Sequence, residues 1–550
     1  MKKKIFKYLK NLLIKNKFKI FNRRNFENKF ENSNSKVLIE FNAFHYTHCY
    51  MSIITSYFVK MYSANLIAFN NHKLSSTSFE DSLTRKIKWF FGKIFKLKFF
   101  GIYSSFGVTD FIDPIGRKKD YKEASKIYNN LISNIKKKSD ITKIQIDNIL
   151  LGDLIYDGYL KLYSLETLDF NLIKFKKYLY NFILLYLYWK NYLINNNVKC
   201  IIGVHSVYAY GIIYRIAFSK KIDVFTTMAG RVFRLDYSNQ YNYDEYKFFK
   251  DIFLKFTEHE KKRFRNYSKT LINKRLDGKV GNDIKELITT KSAFSKFYDK
   301  NKNVLSKNKK IKILIATHQL GDACNFWGEN FFSDFYEWLK FLSKLSKETD
   351  YEWYIKDHPY YSDLKYAKSL DRTAELTRKL VKENNKLIHI PSDISHHQII
   401  EEKIDFVLTI YGTIAFEYAY FKIPVILATK NCPMYKCNMN ICPSNLDEYE
   451  NTLRNLENVK LKINEEDVLD YFFMKYVYND YDVFFDKHSE FLVKNKWDEY
   501  DSFEYYKYWM NNVDLKKLNE MYKIFDNFYK SKKYTIDLSH NNKLLNALKS

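Results

Sequence analysis

Between Ile311 and Leu427 the chain alternates short apolar runs with longer amphipathic ones. "IKILIA", "EWYIK", "KLIHI", "DFVLTI" and "IPVIL" are strand-length and apolar at nearly every position. Strands buried on both faces need that pattern, whereas half-exposed strands alternate. The stretches 334–345, 363–384, 395–402 and 414–421 between them have helical spacing. Parallel strands need crossover connections, so the runs 311–316, 353–355, 387–390, 406–410 and 425–427 predict one parallel sheet with covering helices. A looser version comes earlier. Val37–Phe41 reads as a strand; a loop with His45 and His48, a helical stretch and a strand near Leu66 follow. "VKCIIGVHSVYAYGIIYRIAFSKKIDVFTT" repeats the plan: a strand to Gly203, His205 in the turn, a helix with Arg215, a strand from Val224.

A chain of 550 residues is long enough for two domains. The predicted fold class is α/β: two consecutive Rossmann-like domains facing a central cleft, with a helical C-terminal segment. The expected boundaries are a basic amphipathic segment 1–35, a first Rossmann-like domain 36–299, a polar linker 300–310, a second Rossmann-like domain 311–463, and a Gly-free helical extension 464–550. In open parallel sheets ligands sit beyond the carboxyl ends of the strands, so residues just after strands are the candidates for function. The chain has only 14 Gly and no GxGxxG, which argues against a dinucleotide-dependent dehydrogenase.

The formal net charge is +28, yet only thirteen of the 91 basic residues are Arg. Nucleic-acid readers rely on Arg, and no zinc finger, RNP motif or basic-region heptad is present, so no nucleic-acid partner is expected. An anionic membrane surface or a phosphate-bearing substrate accounts better for the charge. Residues 1–30 hold eleven basic residues and one acid, with Ile5, Leu9, Leu12, Leu13 and Phe18 at roughly helical spacing, as in helices that lie on anionic membranes. No apolar run reaches transmembrane length, and the N-terminus lacks the pattern of a secretory signal. A cytoplasmic protein, peripheral at the inner membrane, is expected. Three of the six Cys fall in "CPMYKCNMNICP", a spacing that suits zinc poorly, so no metal is expected.

Lys356, His358 and Pro359 follow a predicted strand in "YEWYIKDHPYY". The proline stops the strand, the histidine is placed to donate to a phosphate, and the lysine supplies a point charge. In "DFVLTIYGTIAFEYAYFKIPVI", Gly412 and Thr413 fall at a helix start, where free N–H groups favour an anion. Glu417, one turn on, is positioned for ribose hydroxyls. His318, Gln319 and Asp322 follow the strand that opens the second domain and should face the same ligand. In the first domain Asp153 and Asp157 are one helical turn apart in "GDLIYDGYLKLY". Such groups can take up a proton, Asp153 being the preferred general base, then Asp157, with His205 as an alternative; His45 and His48 are weaker cleft candidates.

The HP motif, followed some fifty residues later by a strand, a hydroxyl-bearing turn and "AFEYAYFKIPVI", resembles the nucleotide-binding half of GT-B glycosyltransferases. The similarity is to bacterial surface-polysaccharide enzymes: capsule Kdo transferases, HP-motif sialyl- and polysialyltransferases and CDP-glycerol polymerases. It covers roughly 311–430, and the N-terminal half by architecture only; the turn here reads "YGT" instead of a paired Ser/Thr motif. The resemblance implies that His358 and Thr413 contact the nucleotide phosphate. It further implies a metal-independent glycosyltransferase without a cofactor. The donor would be a nucleotide-activated sugar, CMP-linked among the candidates, and the acceptor a capsular or lipopolysaccharide glycan or a lipid-linked precursor. A polyol-phosphate transferase and a non-catalytic scaffold protein of glycan assembly are the alternatives.

Overall fold

The computed structural model describes the chain apart from residues 1, 28–32, 72–82, 115–116, 229–230, 243, 278–292, 295–301, 359–371, 432–436, 479–501 and 537–542. Two compact units result. The first comprises Met1–Leu162, Asp169–Tyr243 and Tyr481–Leu538, and the second Tyr163–Leu168, Asp244–Asp480 and Ser539–Ser550.

The first unit is built on β1 (Lys36–Phe41), β2 (Asn65–Asn70), β3 (Val108–Ile112), β6 (Val198–Gly203), β7 (Asp223–Met228) and β8 (Arg231–Leu235). Their order is β3-β2-β1-β6-β7-β8. All pairings are parallel except β7 with β8, a hairpin that the sequence pattern did not disclose. A short antiparallel pair, β4 (Gln145–Ile146) with β5 (Ile149–Leu150), stands apart from this sheet. Val37, Leu38 and Ile39 are all fully buried, as a strand covered on both faces requires.

Four helices of this unit recur below: α1 (Lys2–Asn25), α2 (His45–Tyr62), α3 (Leu83–Ile94) and α4 (Lys98–Ser105). Residues 46–59 of α2 are all buried, because the helix is covered on more than one side. It ends at Ser63 in the left-handed conformation (φ 46°), whose N–H returns to the Lys60 carbonyl. Part of that cover comes from the far end of the chain. In the helices Phe503–Asn512 and Leu518–Ser531, Trp509 meets Tyr50 edge-on at 5.2 Å and Phe525 stacks on Tyr57 at 5.2 Å.

The second unit has a wholly parallel sheet of β9 (Lys312–Ala316), β10 (Glu352–Lys356), β11 (Leu387–Ile390), β12 (Phe406–Thr409) and β13 (Val425–Leu427), ordered β11-β10-β9-β12-β13. Successive side chains enter different cores. Ile313, Ile315, Trp353, Ile355 and Leu408 pack with Trp338 and Leu342 on one face; Leu314, Tyr354 and Val407 pack with Ile399, Ala415 and Tyr418 on the other. Each strand lies within a residue or two of its expected position. Because the strands are parallel and in register, Thr317, Asp357 and Ile410 leave the sheet at one edge.

The units do not divide where the sequence suggested. The first does not run to 299: the helix Glu258–Leu276 belongs to the second unit, where Phe264 stacks on Phe473 at 4.1 Å and Arg265 grips Asp470 through two hydrogen bonds. Residues 302–310 of the expected linker sit on the second unit; the Val304 and Leu305 amides donate to Glu402. The expected extension 464–550 is shared out, Glu465–Phe473 to the second unit and 503–536 to the first. Amphipathic helices advertise an apolar face but not the sheet that receives it.

Candidate functional site

In the second sheet the chain runs outward from β9 through β10 to β11, then returns to the other side of β9 as β12 and β13. The crevice at this reversal, between the ends of β9 and β12, is where such sheets bind ligands. His318 spans it. Its Nε2 accepts the Ile410 N–H at 3.2 Å and lies 2.9 Å from the Thr409 hydroxyl, which in turn accepts the Gly412 N–H at 3.2 Å. A nitrogen that accepts from an amide carries no proton, so the ring proton sits on Nδ1. Phe335 stacks on the imidazole at 4.6 Å and Tyr411 lies 5.1 Å from it. Burial pushes its pKa down to about 3; the neighbouring charge of His358 adds to this and that of Asp322 opposes it. His318 is therefore a neutral hydrogen-bond donor throughout the physiological range.

The loop after β12 is held tight. A Cβ on Gly412 would lie 2.9 Å from the Thr409 hydroxyl and 3.7 Å from His318. Thr413 is exposed and already helical (φ −59°, ψ −22°), so its hydroxyl does not cap the helix Ile414–Tyr420. Among the described residues, the amides of Thr413 and Ile414 donate to no group. Gln319 and Asp322 form a turn beside His318, with the Asp322 amide donating to the Gln319 carbonyl at 3.1 Å. The structure thus gathers His318, Gln319, Asp322, His358, Gly412 and Thr413 at one sheet edge.

Three other residues are committed elsewhere or lie outside the description. Lys356 does not offer a free charge: its Nζ donates to the Pro391 and Ser392 carbonyls at 3.1 and 2.9 Å, and burial lowers its pKa to about 8. Glu417 does not reach for a ribose: its carboxylate is buried against Arg275, with both Nε and a terminal nitrogen 2.8 Å from one oxygen. Pro359 lies outside the described residues.

The first sheet reverses between β1 and β6, and a carboxylate sits there that the sequence reading missed. Glu40 is only 6% exposed. One of its oxygens accepts the Val204 amide at 2.9 Å, the Tyr214 hydroxyl at 3.1 Å and the Asn71 amide at 3.3 Å. Its other oxygen has no hydrogen-bond partner among the described residues. Burial raises the Glu40 pKa, against the lowering effect of those three donors. Gly203 is what lets Tyr214 approach, since a Cβ there would overlap its hydroxyl at 1.6 Å. Asn242 fastens the loop beyond β6 by donating to the Val204 carbonyl at 2.6 Å and accepting from Thr226 at 3.2 Å.

Asp153, the expected base, is instead half of a buried ion pair. Both of its oxygens face the Arg215 guanidinium, and the Tyr241 hydroxyl donates to it at 3.1 Å. Asp157, one turn along the helix Gly152–Tyr163, is as deeply buried, both being 3% exposed. His205 is half-buried at the end of β6 and stacks near Tyr210 at 6.2 Å. His48 is structural: it links the Tyr506 hydroxyl at 2.6 Å to the Asn42 carbonyl at 3.0 Å. His45 packs edge-on against Phe503 at 4.8 Å and Phe99 at 5.4 Å, which takes it out of the cleft role expected for it.

No protein-family model and no curated protein matches the chain. Solved structures do. UDP-GlcNAc 2-epimerase from Neisseria meningitidis, bound to UDP-GlcNAc, is 10% identical over 79% of this chain and 97% of its own, with a TM-score of 0.23. A glycosyltransferase from Rickettsia africae is 10% identical over 88% of this chain and 100% of its own, with a TM-score of 0.24. The wall teichoic acid polymerase TagF is 12% identical over 90% of this chain and 95% of its own, with a TM-score of 0.20. The α/β class rests on the two sheets themselves, one wholly parallel and the other parallel but for its β7–β8 edge.

Proposed function

We propose that the chain is a glycosyltransferase that moves a sugar from a nucleotide-activated donor to a hydroxyl of a growing surface glycan. The observation that carries this reading is the His318–Thr409–Gly412 bridge across the reversal of the second sheet, beside the open Thr413 and Ile414 amides. That cluster offers uncharged donors to a phosphate, and His358 adds an imidazole. The HP motif and hydroxyl-bearing turn, which resemble those of polysaccharide transferases, agree with it.

In this reading the acceptor oxygen bonds to the sugar's anomeric carbon while the bond from that carbon to the phosphate oxygen breaks. The electron pair leaves on the nucleotide phosphate, where His318, His358 and the open amides meet the developing charge. The hydroxyl proton passes to solvent water, since Asp153, the expected base, is held by Arg215. The reading calls on no metal or cofactor. It places the enzyme on the cytoplasmic side, acting on a lipid-linked or polymeric acceptor.

The test is a thermal-shift and transfer screen with CMP-, CDP-, UDP- and GDP-linked donors. One class of donor should raise the melting temperature. His358→Ala should weaken that shift and lower turnover by roughly a hundred- to a thousand-fold. A shift with CDP-polyols alone would move the reading to polyol-phosphate transfer, and no shift with any donor would leave a scaffold protein.

A further inference from the structure

Helix α1 carries apolar residues on two opposite faces. At about 3.6 residues per turn, Ile14, Phe18 and Asn22 share one side, and all three are buried. Phe18 stacks on Tyr506 at 4.1 Å, and Asn22 donates to Ser105 of α4 at 3.2 Å. Ile5, Leu9, Leu12, Leu13 and Ile20 fall on the opposite side and are 38–64% exposed.

Helix α3 repeats this arrangement. Trp89 and Gly92 face inward; the Trp89 ring lies 5.0 Å from Phe100 of α4, and Gly92 is close enough that a Cβ would meet Phe100 at 2.5 Å. On the outward side Ile87, Phe90, Phe91 and Ile94 are 45–57% exposed, continued by Phe95 at 63%. Isolated exposed apolar residues are ordinary, but two helices each turning a whole apolar face outward are not.

The charge around these faces is of one sign. Residues 2–25 hold ten Lys or Arg, residues 83–98 hold six, and neither stretch contains Asp or Glu. Lys10 and Lys93 pair with Glu504 and Asp110. Lys15, Lys17, Lys19, Lys88 and Lys96 make no ion pair with any described residue. Lys19 and Lys96 lie where the two helices approach α4. Burial lowers the Lys19 pKa, and the charges of Arg23 and Lys96 lower it further, so this cluster lacks an anion. Among the described residues no helix is long and apolar enough to cross a membrane.

We propose that the outward faces of α1 and α3 together form a docking surface for an anionic phospholipid bilayer. The phenylalanines and leucines enter the headgroup boundary, and the unpaired lysines meet lipid phosphates. The complementarity of charge selects this occupant: a second copy of a chain with net charge +28 would bring like charge against like. The inference is independent of the reaction proposed above, because the surface needs no substrate.

The experiment is flotation of the full chain on vesicles of phosphatidylcholine with or without phosphatidylglycerol, without nucleotide or acceptor. Binding is expected only with the anionic lipid. It should fall steeply toward ~1 M salt, where the screening length is about 3 Å. Leu9→Asp with Leu13→Asp should reduce binding by on the order of tenfold or more, and Phe90→Asp with Phe91→Asp should do the same. These side chains are exposed, so the melting temperature should not change. Equal binding to neutral vesicles overturns the proposal, as does unchanged binding by the α3 variant. Loss of a concentration-dependent dimer in these variants, without loss of vesicle binding, would assign the faces to a second copy instead.

Discussion

Asp153 and Glu40 are both buried carboxylates of the first unit, and their partners separate their roles. Asp153 neutralises a buried guanidinium, so Asp153→Ala leaves Arg215 uncompensated and should cost about 3–5 kcal/mol in urea unfolding. Glu40 faces only neutral donors, so Glu40→Gln should keep the fold. Its pKa is raised in the folded state, so its stabilising effect is present below the ordinary carboxyl range, near ~4.3, and is lost as pH rises through the folded value. The wild-type protein should therefore lose stability relative to Glu40→Gln as pH climbs from about 4 towards neutrality; parallel melting curves would refute this titration. His318 has the opposite sign. Its pKa is depressed from 6.5 to about 3, so its contribution is complete above 6.5 and is lost as pH falls through that window. Nitrogen NMR of the imidazole at pH 5 should show a neutral ring protonated on Nδ1; a charged ring would break the bridge to Ile410.

Trp353–Ile355, Leu387–Ile390 and Val425–Leu427 were legible in the sequence because strands buried on both faces leave continuous apolar runs. His318 and Thr413 were legible as polar residues that follow such runs. Glu40 was not, although the signal was there: a lone acid inside the apolar strand "KVLIEF" must be either exposed or held, and only the three-dimensional partners decide which. Asp153 misled because helical spacing shows which residues share a face, not that an arginine sixty-two positions away closes on one of them. The destinations of the C-terminal helices were hidden for a similar reason. The value of that contact can be measured: Trp509 is fully buried against α2, and Trp509→Ala should cost about 3–5 kcal/mol, observed as lost amide protection in α2. Protection that stays unchanged would mean that α2 stands without the C-terminal helices.

At the scale of the molecule, neither unit is one continuous piece of chain. The first needs residues before 162, from 169 to 243 and after 481, so a fragment ending at 480 holds every strand of its sheet and still lacks part of the cover of α2. That fragment should bind a hydrophobic dye and be cleaved within α2 by protease, whereas the full chain resists; equal resistance would show the sheet to be self-sufficient. The same interleaving sets a timetable for the nascent chain. Tyr50 and Tyr57 leave the ribosome long before Trp509 and Phe525, so the sheet of the first unit must wait for part of its cover. At about 5–20 residues per second, α2 spends roughly 20 to 90 seconds with an aromatic flank uncovered. For that interval the newborn protein is a client for any holding chaperone within reach.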